Sequence, residues 1–188
     1  MSTTNQAGAA GGVSSFAELP RAGVLRRLGA MIYDCLPVLA LLIVATFLFL
    51  PFLHGKVLVP REVGALAYLY WLVQLVLTWA FFIYFWTTRG QTVGMLAWRL
   101  RLQHPDGSLI DWRTSLARLL ILGALLVPFL AGYALIWHDW PHQARSWAMA
   151  ASLLPVVLAY VWQWIDRDGL AWHDRWTGTR VVVVPKRN

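Results

Sequence analysis

Four long apolar stretches dominate the pattern of hydrophobic and polar positions along the chain. They cover residues 24–50, 63–86, 114–137 and 146–165. Each is close to the roughly 20 residues that a helix needs to cross a bilayer. A single run of this kind is also typical of a buried core helix, but four of them favour membrane helices. The pattern predicts an all-α membrane protein with four transmembrane helices.

A shorter segment between the second and third runs has the period of a strand. Apolar and polar side chains alternate strictly over residues 98–103. Pro105-Asp106-Gly107 is typical of a turn, so residues 108–110 are predicted to return as a second strand. The β-branched run in residues 180–185 predicts a third. We expect a small β element at the inner membrane surface, with a surface-lying helix as the alternative for its first segment.

The distribution of Lys and Arg predicts the topology. The chain holds 16 of them and has a net charge of +7. Three lie around the start of the first run, five between the second run and the mouth of the third, and five after the fourth, which makes 13 of 16. The positive-inside rule then predicts a protein of the bacterial inner membrane with both termini on the cytoplasmic side. These charges flank apolar runs, so we expect contact with anionic headgroups and no nucleic-acid partner.

The remaining composition limits the domains and the chemistry. Residues 1–20 are small and polar, which predicts a disordered tail before a membrane domain over residues 21–187. Cys35 is the single cysteine, so neither an intramolecular disulfide nor a cysteine zinc cluster can form. No phosphate-binding loop, serine nucleophile elbow or catalytic carboxylate pair is visible. We therefore expect no enzyme, no catalytic residue, no cofactor and no bound metal.

Asp34 is the residue that most needs an explanation. It lies ten residues into the first run, about 15 Å along a helix, where a charge costs about 2.5–3.5 kcal/mol. Pro37 cannot donate a hydrogen bond to the carbonyl of Tyr33, so the carboxylate of Asp34 and this free carbonyl together form a candidate proton or cation site. The alternative is a structural ion pair that pins helices together. Its candidate partners are Arg27, Arg118 and Arg175.

Three segments resemble motifs of the bacterial RDD membrane proteins, a family named for one arginine and two aspartates. Residues 26–34 contain the pattern Arg-x-x-Ala-x-x-x-Asp. Residues 90–95 resemble a Gly-x-Thr-x-Gly-Lys stretch, which leads to a Leu-Arg-Val-like strand at residues 100–102. Residues 172–182 resemble a closing His-Asp, Gly-Thr, Val-Val segment. Met95 departs from the pattern, because a basic residue is common at its position.

The resemblance implies which residues form the site. Arg27, Asp34 and Asp174 are the name-giving positions. The supporting positions are His173, Arg118, Tyr33, Pro37, Gly90, Thr92, Gly94, Arg101, Gly178 and Thr179. For His173 and Asp174, one hypothesis is a proton relay to Asp34. The alternative is that Asp174 caps a turn, or pairs with Arg101 or Arg175 to dock the last strand.

Two functions follow as expectations. The first, which the resemblance also implies, is a small ion or solute transporter, such as a cation/proton exchanger, that uses Asp34 as its titrating group. Four helices enclose little volume, so such a transporter would be a homo-oligomer. The second is a scaffold or assembly factor that binds a membrane protein partner, with the Arg and Asp residues holding the fold.

Overall fold

The computed structural model describes residues 19–57, 59–135, 142–166 and 169–185. The predicted disordered tail lies outside these residues apart from positions 19 and 20. The fold is mostly helical, with four long helices, three short ones and two strands among the described residues. In chain order they are α1 (Val24–Phe49), α2 (Pro60–Val63), α3 (Ala65–Thr88), α4 (Val93–Ala97), β1 (Leu100–Gln103), α5 (Trp112–Leu135), α6 (His142–Ile165), α7 (Trp172–Trp176) and β2 (Arg180–Val183).

The four long helices match the four predicted runs to within four residues at each end. Among the described residues, two of them are long and apolar enough to cross a bilayer: Val24–Phe52, which is α1 extended by one 3₁₀ turn, and Ala65–Thr88. Their apolar side chains are largely exposed, as Ile32 and Phe47 illustrate. Helices that serve as the core of a soluble protein bury such side chains, so this exposure favours lipid contact.

The small sheet joins three distant parts of the chain. β1 and β2 pair antiparallel, with Arg101 opposite Val182. The other edge of β2 pairs with the segment before α1, where Arg21 bridges to Val182 and the amide of Ala22 donates to the carbonyl of Val181 at 2.9 Å. This third segment was not predicted. The sheet therefore ties the start of α1, the loop after α3 and the C-terminal segment together.

Residues 98–103 and 108–110 did not both behave as predicted. The strand period holds at Leu100 and Leu102, which are buried, so the surface-helix alternative is wrong. Residues 108–110 form no strand. Among the described residues, the backbone hydrogen bonds of this turn run from the amide of His104 to the carbonyl of Ser108 and from the amide of Gly107 to the carbonyl of His104, both at 3.0 Å, and no ladder follows them. β1 instead finds its partner in β2, the strand predicted from residues 180–185.

Helix α4 is a five-residue element that lies against the backbone of α1. Thr92 is its N-cap, and the Thr92 hydroxyl accepts from the amide of Met95 at 3.2 Å. A Cβ on Gly94 would lie only 2.0 Å from the carbonyl oxygen of Ala30. Because backbone atoms cannot yield as a flexible side chain does, only glycine permits this approach. The contact places the N-terminus of α4 beside the middle of α1.

The packed core lies where the sheet meets the helix ends. It contains Ala30 of α1, Trp86 of α3, Met95 of α4, Leu119 of α5 and Val181 of β2, together with the inward side chains of β1. Six elements thus converge on one cluster. This end of the bundle holds most of the buried polar side chains as well, and it is there that the candidate site lies.

Candidate functional site

Asp174 forms the centre of a buried ion cluster. It lies in α7, and its carboxylate is fully buried. Oδ2 accepts from Nη1 of Arg27, and Oδ1 lies 2.5 Å from Nη2 of Arg118. The two arginines belong to α1 and α5, so one carboxylate connects three helices. Buried charges need such partners, because an unpaired charge is very costly to desolvate.

Other nitrogen atoms of the same two guanidinium groups extend the cluster to the sheet. Nε of Arg27 donates to the carbonyl of Ala22 at 3.2 Å. Nη1 of Arg118 donates to the hydroxyl of Thr179 at 2.6 Å. Thr179 follows Gly178, whose φ of +59° supplies the left-handed turn into β2. The arginines therefore hold both the entry to α1 and the entry to β2.

These contacts correct the predicted pairings. Arg27 and Arg118 were candidate partners of Asp34, but both bond to Asp174. Arg175 was a candidate partner of both aspartates, but it bonds to Asp166 at 2.5 Å. The reason is geometric. Residues 27 and 34 share a face of α1 but are separated by about 10 Å of axial rise, whereas the fold brings α7 directly onto Arg27.

Burial and the two arginines together set the ionisation of His173 and Asp174 in α7. Burial alone would raise the pKa of Asp174, but the positive charges of Arg118 and Arg27 hold that pKa below its ordinary value. Burial and then the Arg118 charge lower the pKa of His173 to about 3. His173 is therefore neutral near pH 7. This low pKa argues against the hypothesis that His173 relays protons by titrating near neutrality, which stays a prediction.

Asp34 has a different kind of environment. It is buried, and both carboxylate oxygens accept hydrogen bonds from α4. The hydroxyl of Thr92 donates to Oδ2 at 2.5 Å, and the amide of Gly94 donates to Oδ1 at 2.7 Å. No ion pair between described residues includes Asp34. Among the described residues, the carboxylate is thus held by neutral donors and not by arginine.

The structure also shows where four of the predicted supporting residues lie. Tyr33 is half exposed and packs edge-on against Trp98 at 6.3 Å. Pro37 lies inside α1, which continues without a break to Phe49. Gly90 has a φ of +66°, and its carbonyl accepts from the amide of Leu102 at 2.7 Å. Arg101 lies on β1, and the pairing with Asp174 predicted for it is not formed.

A cavity lies between Asp34 and the arginines that bind Asp174. Its volume is ≈ 360 Å³, and it lies between α1, α3 and α5 above the sheet. Asp34, Arg27, Arg118 and His173 line it together with many apolar side chains. Met95, which stands where the family pattern has a base, lines it too. The cavity therefore has one negative group available at Asp34 and lacks that additional base.

The order of these motifs and their convergence in space agree with a comparison against protein families. The model of the RDD family matches residues 21–178. The chain belongs to the RDD family. The match covers α1 through α7 and ends at Gly178, so all three name-giving residues lie inside it. Searches of curated proteins and of solved structures gave no match. Family membership and the apolar helices together indicate an integral membrane protein.

Trp86 is the site residue that sequence reasoning missed. It lies at the end of α3, lines the cavity and stacks beneath the guanidinium carbon of Arg118 at 5.6 Å from the ring centroid. Twelve tryptophans in the chain make any one of them inconspicuous. The role of Thr92 had a detectable signal, because a threonine directly before a short apolar helix is a favoured N-cap.

Proposed function

We propose that this RDD protein is a bacterial inner-membrane transporter that exchanges an ion or a solute for protons. Asp34 would be the group that takes up and releases the proton. One observation carries the proposal: the buried carboxylate of Asp34 lines a ≈ 360 Å³ cavity and has no arginine partner among the described residues. Ionisable residues at membrane depth that face such a cavity mark ion and proton pathways.

The proposed topology has four transmembrane helices with both termini in the cytoplasm. The sheet supports it, because paired strands must lie on one side of a bilayer. Two long helices separate Arg21 from β1, and two more separate β1 from β2. These three segments also carry the excess of basic residues that favours the cytoplasmic side.

Cysteine labelling tests this topology. In a Cys35→Ser background, Arg113→Cys should react with an impermeant maleimide only from the cytoplasmic side. Lys56→Cys should react only from the periplasmic side, and both positions are exposed. Labelling of both from one side would overturn the proposed topology.

The exchange step would use the two protonation states of Asp34. In the ionised state, its oxygens satisfy the donors of Thr92 and Gly94. In the protonated state, the carboxyl no longer contributes a negative charge to the cavity. Alternation between these states couples the charge of the cavity to the proton gradient. The buried arginine cluster would keep the cytoplasmic end of the bundle fixed while this occurs.

Proton flux in proteoliposomes tests the transport proposal. Vesicles with an entrapped pH dye receive pulses of Na⁺, K⁺ or Li⁺, with wild type and Asp34→Asn reconstituted at equal amounts of folded protein. Flux in wild type that vanishes in Asp34→Asn supports transport. Asp166→Asn is the matched control, because this carboxylate does not line the cavity and should retain flux. Equal flux in wild type and Asp34→Asn would overturn the role of Asp34.

A scaffold is the second candidate function, and a specific observation favours it. The three name-giving residues each fasten one element to another: Arg27 and Asp174 join α1 to α7, and Asp34 joins α1 to α4. A scaffold that binds a membrane protein partner needs only this structural role. It predicts that Asp34→Asn impairs folding or partner binding, whereas a transporter tolerates the change in folding and loses flux. Neither candidate includes an enzymatic step.

A further inference from the structure

The cavity has the character of a binding site for an apolar molecule. Its walls include Phe82 of α3 and Leu119, Leu122 and Leu126 of α5. Its volume of ≈ 360 Å³ falls in the range of small-molecule sites, which are typically apolar with a few placed polar groups. Oxygen ligands of the kind that hard cations require are scarce along this lining. The apolar walls therefore favour a lipid-soluble occupant.

Unpartnered donors are found among the buried residues that line this cavity. Nη2 of Arg27, Nε of Arg118 and Nε1 of Trp86 are buried and have no hydrogen-bond partner among the described residues. The three residues are 6%, 4% and 7% exposed. A buried donor left unsatisfied costs about 1–3 kcal/mol. Three such donors on residues that line one cavity favour a ligand that carries a hydrogen-bond acceptor.

The charges around the cavity do not balance without Asp34. Arg27 and Arg118 contribute two positive charges, and Asp174 cancels one of them. His173 is neutral near pH 7, because its pKa is about 3. Asp34 is the only other titratable group among the described lining residues. One positive charge therefore remains, and either ionised Asp34 or a bound anion must compensate it.

We propose that the cavity binds a single-chain, lipid-soluble molecule with one negatively charged end, and that a proton binds to Asp34 together with it. The anionic end would accept hydrogen bonds from Arg27 and Trp86, and the chain would lie along α3 and α5. This inference names the substrate class for the proposed transporter and rests on that function, with one change. Because the ligand and the proton bind together, the transporter would carry both in the same direction and would not exchange one for the other. No covalent step is involved, since only a proton and a ligand are taken up.

Decanesulfonate is a suitable probe, because it remains a monoanion at every pH used and its chain is short enough for the cavity. Titration calorimetry in weakly buffered nanodiscs of phosphatidylcholine, with empty nanodiscs as baseline, would measure its Kd and the protons taken up. Decanol tests the same chain without charge, and decyltrimethylammonium tests the opposite charge. The expected result is saturable binding of decanesulfonate at least tenfold tighter than either, with uptake of up to one proton per ligand.

Variants locate the site and the proton. Asp34→Asn should still bind decanesulfonate, but without proton uptake and with a Kd that no longer changes with pH. In wild type, the Kd should rise with pH by up to about tenfold per unit where one proton accompanies each ligand. Trp86→Phe removes one donor and should weaken binding about 2- to 10-fold. Gly123→Leu adds bulk at the cavity wall, where a Cβ has open space, and should abolish binding without changing any charge.

The wild-type measurement alone can overturn the inference, whatever the folding of the variants. Equal affinity for the three probes, or saturable binding of decanesulfonate without proton uptake, would contradict it. The flux assay tests the proposed transport separately from the binding assay. Proton-linked binding of decanesulfonate without flux would support the proposed binding site and refute the proposed transport. Cation-driven flux that requires Asp34, without decanesulfonate binding, would leave transport and remove this substrate class.

Discussion

The Asp174→Asn substitution should destabilise the fold severely while barely changing the shape of the side chain. Asparagine retains the volume but loses the charge that compensates Arg27 and Arg118. Both arginines are more than nine-tenths buried, and Asp174 is fully buried. Removing one partner of a buried ion pair costs about 3–5 kcal/mol. Since two buried arginines lose the same partner here, we expect a loss near the upper end, a large part of a typical stability of about 5–15 kcal/mol.

Arg175→Gln is the matched control for this prediction. Arg175 also pairs with a carboxylate at 2.5 Å, but its side chain is 56% exposed. Its partner Asp166 is only 4% exposed but keeps a hydrogen bond from the amide of Leu170. Because the Arg175 guanidinium is largely solvated and Asp166 keeps this donor, we expect the loss of Arg175 to cost about 1–3 kcal/mol, less than the loss of Asp174. The assay is the free energy of unfolding from titration of detergent micelles with sodium dodecyl sulfate, followed by circular dichroism. If Asp174→Asn destabilises no more than Arg175→Gln, the cluster does not hold the fold together and the reasoning is refuted.

Three further outcomes are expected in the same unfolding assay. Gly94→Ala should cost at least about 3 kcal/mol, because its Cβ would lie 2.0 Å from the backbone carbonyl oxygen of Ala30. Gly123→Ala, where a Cβ has open space, should be neutral or stabilise by up to about 1 kcal/mol, and equal effects of the two substitutions would contradict the close approach of α4 to α1. The free energy of unfolding of wild type should fall by about 2–3 kcal/mol between pH 6.5 and 4.5, because His173 takes up a proton in the unfolded chain there but not in the folded chain, where its pKa is about 3. His173→Gln should lose less stability over this range, and a pH profile identical to that of wild type would refute this cause. Thr92→Val should cost about 2 kcal/mol through the lost cap and the lost hydrogen bond to Asp34, Thr92→Ser should restore most of it, and failure of that rescue would assign the loss to packing.

The long helices could be predicted from sequence because the bilayer makes their signal strong. Hydropathy located α1, α3, α5 and α6 to within four residues, because all four are long apolar runs. For α1 and α3, which are long and apolar enough to cross a bilayer, a lipid-facing helix must be apolar over most of its circumference. The strand period at Leu100 and Leu102 was equally informative, because a two-faced strand alternates. These are local patterns, and each is written in consecutive residues.

Pairings between distant segments could not be predicted in the same way. Arg27 and Asp174 are 147 positions apart, and the spacing of residues on one helix suggested a nearer partner, Asp34. The strand pairing of Arg21 with Val182 had no signal either, since the segment before α1 is too short to show a period. Such contacts depend on how the loops close, and loop closure is not encoded in periodicity.

The resemblance gave the identity of the site residues but not their separate tasks. It grouped Arg27, Asp34 and Asp174 as one set. The structure divides the set, because Asp174 pairs with both arginines, whereas Asp34 bonds only to neutral donors at the start of α4 among the described residues. That division is physical: a carboxylate bound by two arginines resists protonation, whereas one held by a hydroxyl and an amide has no compensating charge in contact.

This separation of roles is the central claim, and a paired measurement on Asp34→Asn and Asp174→Asn tests it most directly. Each variant would be assayed for unfolding free energy and for proton flux per folded molecule. We predict that Asp34→Asn retains its fold to within about 2 kcal/mol and loses flux, whereas Asp174→Asn loses its fold. A stable Asp174→Asn, or wild-type flux in Asp34→Asn, would contradict the account.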